Sequence, residues 1–249
     1  MIAVILAGGF AKRMWPLTKD KPKHLLPVAG KPMLTYVLEK IEPLDDVEQI
    51  IISTNAAFVT YFSEFLSKYK IKKKISLFVE DIYSEKEKLG SVGALGYLIR
   101  KNNIEDELLV IGGDNIFDFS LSKFLEFFRQ KKANAIALFN IKSSEKAKLY
   151  GVVSIDSEFQ IVDFQEKPDE PRSTLVSTAC YVFTRDGVKC ILRYLEKGND
   201  PDKMGHFIEW LYKNEKVYGF IFSGIWFDIG SFESYHEANE YFLGKNRNQ

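Results

Sequence analysis

Ile2-Ala3-Val4-Ile5-Leu6-Ala7-Gly8-Gly9 opens the chain as an apolar run broken by paired glycines, and Lys12, Arg13 and Lys23 follow it closely. A short continuous apolar run of this kind predicts a strand buried on both faces of a parallel sheet. Its break into glycines leaves bare backbone N–H groups at the strand's carboxyl end, where open α/β sheets bind anions. Lacking Cβ atoms, Gly8 and Gly9 let a ligand approach the main chain, and the downstream cations suit phosphate. The residues spell neither G-x-G-x-x-G nor G-x-x-x-x-G-K-[ST], because no second glycine precedes Lys12. A dinucleotide-binding oxidoreductase and a P-loop NTPase are both disfavoured.

Strand-like and helix-like segments alternate outward from that opening. Gln49 to Ser53 and Leu108 to Ile111 are further apolar runs bounded by polar residues or glycine. Between them Leu34, Val37, Leu38 and Ile41 fall on one helical face, with Pro32 in a first-turn position. Leu121, Phe124, Leu125 and Phe128 repeat the spacing behind Ser120, a good N-cap. This alternation predicts an α/β fold, Rossmann-like, with a mixed, mostly parallel sheet flanked by helices. In the second half Gly151 to Ile155, Gln160 to Gln165 and Val176 to Phe183 read as extended segments with few helices between, which predicts an antiparallel portion. Helices over Gly187 to Leu195 and His206 to Lys213, a strand over Val217 to Phe222, and a last helix from Ser231 to about Leu243 complete the expectation.

A chain of 249 residues can bury a sizeable core, and no Pro/Ser/Gly-rich linker or internal repeat divides it. The expectation is one compact domain over 1–249 with two lobes, the first reaching to about residue 118. The 34 basic and 34 acidic residues balance, so neither nucleic acid nor a membrane surface is an indicated partner. The basic run Lys68 to Lys74 reads as a solvated helix end and turn. Cys180 and Cys190 sit among apolar residues and read as small core side chains. With no leader-like opening and no apolar stretch long enough to span a bilayer, the expected location is the cytoplasm.

The opening segment resembles the signature of sugar-1-phosphate nucleotidyltransferases, A-G-G-x-G-T-R-L-x-P-L-T, then P-K-x-L-L-P-V and K-P-M. Here it stands as Ala7-Gly8-Gly9-Phe10-Ala11-Lys12-Arg13-Met14-Trp15-Pro16-Leu17-Thr18, then Pro22-Lys23-His24-Leu25-Leu26-Pro27-Val28 and Lys31-Pro32-Met33. Phe10-Ala11-Lys12 replaces x-Gly-Thr. Leu89-Gly90-Ser91-Val92-Gly93-Ala94-Leu95 is similar to L-G-T-A-G-A-L, with Glu85 where family members often carry Glu or Gln and Lys88 where proline is common. Gly112-Gly113-Asp114-Asn115 resembles G-D-N, and Tyr150-Gly151-Val152-Val153, Phe164-Gln165-Glu166-Lys167-Pro168 and Ser177-Thr178-Ala179-Cys180-Tyr181 resemble the family's sugar-site segments. Ala179 stands where glycine is usual. Trp226-Phe227-Asp228-Ile229-Gly230-Ser231 resembles W-x-D-I-G-S, so matching motifs run through nearly the whole chain.

The resemblance implies the nucleotide-diphospho-sugar transferase fold and the transfer of a nucleotidyl group from an NTP to a sugar 1-phosphate. It implies catalytic roles for Arg13, Lys23 and Asp114, and nucleotide contacts from Leu6, Gly8, Gly9, Arg13, Glu85 and Gly90. It implies sugar-phosphate contacts from Gly151, Glu166, Lys167 and Thr178, and a Mg²⁺ cofactor on Asp114 and Asp228. Homo-oligomers are common in the family, and a C-terminal β-helix domain is not expected over 1–249. Taken singly, Asp114 is also good turn chemistry and Asp228 a plausible helix cap. His24 falls near the implied site, while His206 and His236 read as helix-surface residues. Two alternatives stay open: a catalytically silent subunit that binds sugar nucleotides, and a glycosyltransferase that consumes them. The glycosyltransferase should carry D-x-D where Asp114-Asn115-Ile116 stands.

Overall fold

In the computed structural model, which describes residues 1–247, the opening run forms β1 (Ile2–Leu6). A small hairpin of β2 (Pro27–Val28) and β3 (Lys31–Pro32) leads into α1 (Met33–Ile41), β4 (Gln49–Asn55), α2 (Val59–Lys68), β5 (Lys74–Glu80), α3 (Ser91–Asn102) and β6 (Leu108–Gly112). The chain continues through β7 (Asn115–Phe117), α4 (Leu121–Lys131), β8 (Asn134–Asn140), the single turn α5 (Ser144–Ala147), β9 (Gly151–Ile155), β10 (Ile161–Glu166) and β11 (Leu175–Phe183). It closes with α6 (Arg185–Glu196), α7 (Met204–Leu211), β12 (Val217–Phe222), β13 (Trp226–Asp228) and α8 (Phe232–Arg247).

β1 pairs in parallel with β4 and β6, and β4 pairs in parallel with β5, so these strands end on one edge. β11 joins β6 antiparallel and carries the sheet into the second half, giving the order β10-β9-β11-β6-β1-β4-β5, with β8 and β12 branching from β11. The sheet is therefore mixed, parallel at its heart and antiparallel where the sequence changes character. The strands read as unbroken apolar runs because both faces are covered. Ile5, Ile50 and Ile52 pack under Leu34, Leu38, Phe62 and Phe124 of α1, α2 and α4. Val4 and Val110 face the opposite way, onto Leu95, Leu98, Ile191 and Phe207 of α3, α6 and α7.

The caps fall where the side chains dictate. Ser120 Oγ accepts from the Lys123 N–H at 3.3 Å and Ser231 Oγ from the Ser234 N–H at 3.2 Å, satisfying first-turn donors of α4 and α8. Pro32 precedes the first residue of α1 rather than lying inside it, and α7 begins at Met204, two residues before His206. Lys68 ends α2 and Lys74 begins β5, so the basic run is a helix end and turn. Both cysteines are buried, and burial pushes both thiols up. Among the described residues no helix is long and apolar enough to cross a membrane.

Candidate active site

A cavity of about 670 Å³ runs along the carboxyl ends of the parallel strands, and every site residue expected from the sequence lines it. The strand order lays these residues out in sequence. Glu80 ends β5, Gly8 and Gly9 follow β1, Asp114 follows β6, Thr178 lies in β11, and Gly151 and Glu166 mark adjacent ends of β9 and β10.

At the centre the Lys23 ammonium donates to Asp114 Oδ2 at 2.6 Å, and Asn115 Nδ2 donates to Asp114 Oδ1 at 2.9 Å. Trp226 Nε1 in turn donates to Asn115 Oδ1 at 2.7 Å, so the aspartate is held from both sides. The pairing of β13 with β7 sets Asp228 opposite Asn115, and the Ile229 N–H donates to the Asp114 carbonyl at 3.0 Å. Two carboxylates from distant parts of the chain thereby share one pocket. Burial pushes the Asp114 carboxyl up, but the Lys23 ammonium with its hydrogen bond, and His24, outweigh it and leave the group below its ordinary value. Burial and then the Asp114 charge push Asp228 up to about 6, against Lys23, Arg13 and Lys167. This is the pattern of two acids that cannot both ionise cheaply without a cation between them. His24 lies alongside, lowered to about 4 chiefly by burial, with its Nδ1 lacking a hydrogen-bond partner among the described residues. It is neutral at physiological pH.

These directions make a stability prediction for protein held in chelator. A carboxyl raised in the folded state keeps its proton at pH values where the unfolded chain has released it, so its contribution is lost as pH rises. Asp228, raised to about 6, together with Glu80 and Glu166, both raised first by burial, makes the protein less stable at pH 7 than at pH 5. Asp114 is lowered, so its contribution is constant in that window and is lost only in stronger acid. Asp228→Asn flattens the slope, removing about 1.4 kcal/mol of the difference between pH 5 and pH 7, the one pH unit of the shift that falls in that window. Denaturant midpoints across pH read this directly, and an unchanged slope contradicts it.

Around the phosphate loop the glycines have a steric reason. A Cβ on Gly8 would stand 2.8 Å from Glu80 Oε1, an oxygen already accepting from Ser53 Oγ at 2.9 Å and 5% exposed as a residue. Gly8→Ala should therefore displace the loop and cost about 1–3 kcal/mol, as overpacking does. A thermal melt with no loss would contradict that packing. Ala11, in place of the family's glycine, takes the left-handed conformation at φ 49°, and its carbonyl accepts from Thr18 Oγ1 at 2.8 Å. The loop thus keeps a glycine-like turn without the glycine. Lys167 (φ 49°) and Ala179 (φ 52°), also on the cavity wall, are held in the same disfavoured region. Backbone strain of about 1–3 kcal/mol per residue gathers at ligand sites when surrounding structure enforces it.

On the sugar side Gly151 lies under the Phe164 ring, which a Cβ would meet at 2.5 Å. Glu166 packs its carboxyl against Gly205 in the first turn of α7. Thr178 Oγ1 is committed to the Ala137 carbonyl at 2.9 Å, and it fixes the β11 wall. On the β5 side Glu85 sits in a short turn whose preceding residue, Ser84, is fastened by Glu87. Gly90 (φ 76°) passes so close to Pro201 and Asp202 that a Cβ would fall 2.3 Å from the Asp202 Cα. The Ser91 N–H and hydroxyl both donate to the Asp202 carbonyl at 2.8 Å, so the start of α3 is capped by the protein itself.

Glu80, Asp202 and Lys203 also line the cavity and were not singled out from the sequence. Glu80 closes β5, a strand the pattern does not announce, and the Asn199–Asp202 turn has no signal without its partner α3. His206 pairs with Asp200 at 2.8 Å on α7, and His236 is exposed on α8.

Parallel strands ending in a glycine loop, cations over a paired carboxylate centre and a long cleft at the strands' carboxyl ends make an α/β protein with its cleft where open sheets of this kind bind ligands. The chain belongs to the nucleotidyl transferase family, whose model matches residues 2–244. It is 33% identical over 247 residues to the bifunctional protein GlmU of Methanocaldococcus jannaschii, covering 98% of this chain and 55% of that protein. It is 27% identical to the mannose-1-phosphate guanylyltransferase of Mycobacterium tuberculosis, covering 94% of this chain and 62% of that protein. A Bacillus anthracis structure assigned as a glucose-1-phosphate thymidylyltransferase superposes with a TM-score of 0.84 at 28% identity, over 98% of this chain and 95% of that one. The chain thus spans little more than half the length of the curated relatives it matches.

Proposed function

We propose that this protein transfers a nucleotidyl group from an NTP to a sugar 1-phosphate, releasing pyrophosphate and forming an NDP-sugar. The observation that carries the reading is the meeting of Lys23, Asp114 and Asp228 at the middle of one cleft, between the Gly8-Gly9 loop and the Gly151–Glu166 wall. Family membership supports it, and so do relatives named for transfer onto mannose 1-phosphate and glucose 1-phosphate.

In the reaction the phosphate oxygen of the sugar forms a bond to the α-phosphorus while the α–β bridging P–O bond breaks and pyrophosphate departs with the electron pair. The nucleophile is already an anion, so no general base is required, and neutral His24 has no proton to take. Arg13 and Lys23 bind the triphosphate and take up the charge that develops on the leaving group. The Gly8-Gly9 backbone cradles the phosphates, with Leu6 beneath it. Glu166, Lys167, Gly151 and Thr178 shape the sugar-phosphate side.

The donor set fits Mg²⁺: two hard carboxylates, one raised in pKa by burial and then by the other's charge, in a site that would gain further oxygens from phosphate. Asp114 and Asp228 would hold the ion, which supplies charge neutralisation between two anionic reactants. Among the described residues no cluster of three or more acidic, histidine or cysteine ligands competes for that role. A pyrophosphate-release assay across NTPs and sugar 1-phosphates tests the reading. Turnover with one pairing, abolished by EDTA, is expected; silence from folded protein with every pairing would overturn it.

A further inference from the structure

We propose that Trp226 is a positioning residue for Asp114: its indole N–H fixes which way the Asn115 amide points, and the amide in turn fixes the carboxylate. The inference rests on the proposed transferase reading, in which Asp114 holds the metal ion. Asn115 is 1% exposed, and both ends of its amide are engaged. Its Oδ1 accepts from Trp226 Nε1 at 2.7 Å, and its Nδ2 donates to Asp114 Oδ1 at 2.9 Å. An indole N–H can only donate, so it admits the oxygen end of the amide and turns the nitrogen end onto the carboxylate. With Lys23 Nζ on Oδ2 at 2.6 Å, each oxygen of Asp114 has a side-chain donor and keeps lone-pair capacity for a cation. The space is tight. A Cβ on Gly112 would stand 2.8 Å from Asn115 Nδ2 and 3.0 Å from Asp114 Oδ1.

The indole is itself held in place. Its ring meets the Tyr150 ring edge-on at 5.0 Å and the Phe139 ring at 5.8 Å, and it lines the cavity. In the β13–β7 ribbon Trp226 stands opposite Phe117 and Asp228 opposite Asn115, so Trp226 and Asn115 are diagonal neighbours on one face. One strand of three residues thus brings a carboxylate to the centre together with the donor that orients the other carboxylate. An aromatic residue on a cleft wall can serve by packing alone, but that role needs the ring and not the N–H. Without the N–H the amide is free to turn over. Its Oδ1 would then face Asp114 Oδ1, lone pairs against lone pairs, and Lys23 would be left as the carboxylate's side-chain donor. Groups that orient a metal-binding side chain account for about 10–10²-fold in metal affinity.

The test is a double-mutant cycle on Trp226→Phe, which keeps a ring and removes the N–H, and Asn115→Ala. Metal affinity is read by titrating nucleotide-free protein with Mn²⁺ and following the EPR signal of the free ion; turnover is read as pyrophosphate release in Mg²⁺. Trp226→Phe is expected to melt close to the unaltered protein and to weaken Mn²⁺ binding by about 10–10²-fold. Its kcat should fall while KM for the sugar 1-phosphate stays within about twofold, a split that a lost packing wall would reverse. Asn115→Ala should weaken Mn²⁺ at least as much. Adding Trp226→Phe to it should cost nothing further, because the N–H then has no amide to orient. Where Asn115→Ala fails to fold, Trp226→Phe alone decides. Unchanged Mn²⁺ affinity in Trp226→Phe, losses that add in the double variant, or no uptake of Mn²⁺ by the unaltered protein would overturn the inference, whatever the pyrophosphate assay shows. The predicted Mn²⁺ losses without pyrophosphate release from any pairing would uphold it and overturn the transferase reading instead.

Discussion

Asp114→Asn is expected to fold, bind nucleotide and turn over about 10²–10³-fold more slowly, the loss seen when one preorganised electrostatic group is removed from a transition state. The substitution keeps an oxygen for Lys23 or Asn115 but removes the charge both surround. Lys23, 8% exposed, then loses its counter-ion, so some stability goes too, about 1–3 kcal/mol for a hydrogen-bonded group left unmatched. That loss corresponds to a fall of roughly 2–4 °C in Tm per kcal/mol for a chain of this size. Rate measured on protein shown to be folded separates the two effects. The Mg²⁺ concentration giving half-maximal rate should rise as well, because one of two carboxylates is lost. Near-normal turnover in the folded variant would remove Asp114 from the reaction.

Arg13→Ala makes the opposite contrast. Arg13 is exposed on a short turn pinned by fully buried Met14, and its Nη2 lies 3.3 Å from where a Cβ on Gly230 would stand. Removing an exposed side chain that makes no hydrogen bond or ion pair among the described residues changes stability by no more than about 0.5 kcal/mol. If the guanidinium takes up charge on departing pyrophosphate, the same change slows turnover about 10²–10³-fold, equivalent to about 2.7–4 kcal/mol. Arg13→Lys should recover only part of the rate, because an ammonium lacks the planar fork that grips two phosphate oxygens. A rate loss matched by an equal loss of stability would mean Arg13 serves the fold alone.

The parallel heart of the sheet was legible because its strands are apolar on both faces and its glycine loop is unbroken in sequence. β5 was not read in advance: it is an edge strand of mostly half-buried residues, entered from a basic run. α2 escaped for a similar reason, since Phe62 is its one fully buried residue and the stripe is thin. At the site the motifs announced which residues would gather, but not how they are joined. Asp228 meets Asp114 through strands of three residues each, too short for any periodicity to show. Glu80 reaches Gly8 through the parallel register of β1, β4 and β5, a relation between segments more than seventy residues apart. The Lys88 tie to Asp202 spans 114 residues and links the two halves of the cleft, which local pattern cannot foresee. Ala11 ran against its own propensity: the sequence lost a glycine there and the backbone kept the glycine's conformation.

The most direct measurement follows phosphorus by NMR in a mixture of protein, Mg²⁺, one NTP and one sugar 1-phosphate. The account predicts that the sugar 1-phosphate and the NTP signals fall together while pyrophosphate and a sugar-linked diphosphate rise in equal amounts. NTP breakdown to NDP and inorganic phosphate, or a spectrum that never changes while nucleotide still raises the melting temperature, would contradict it.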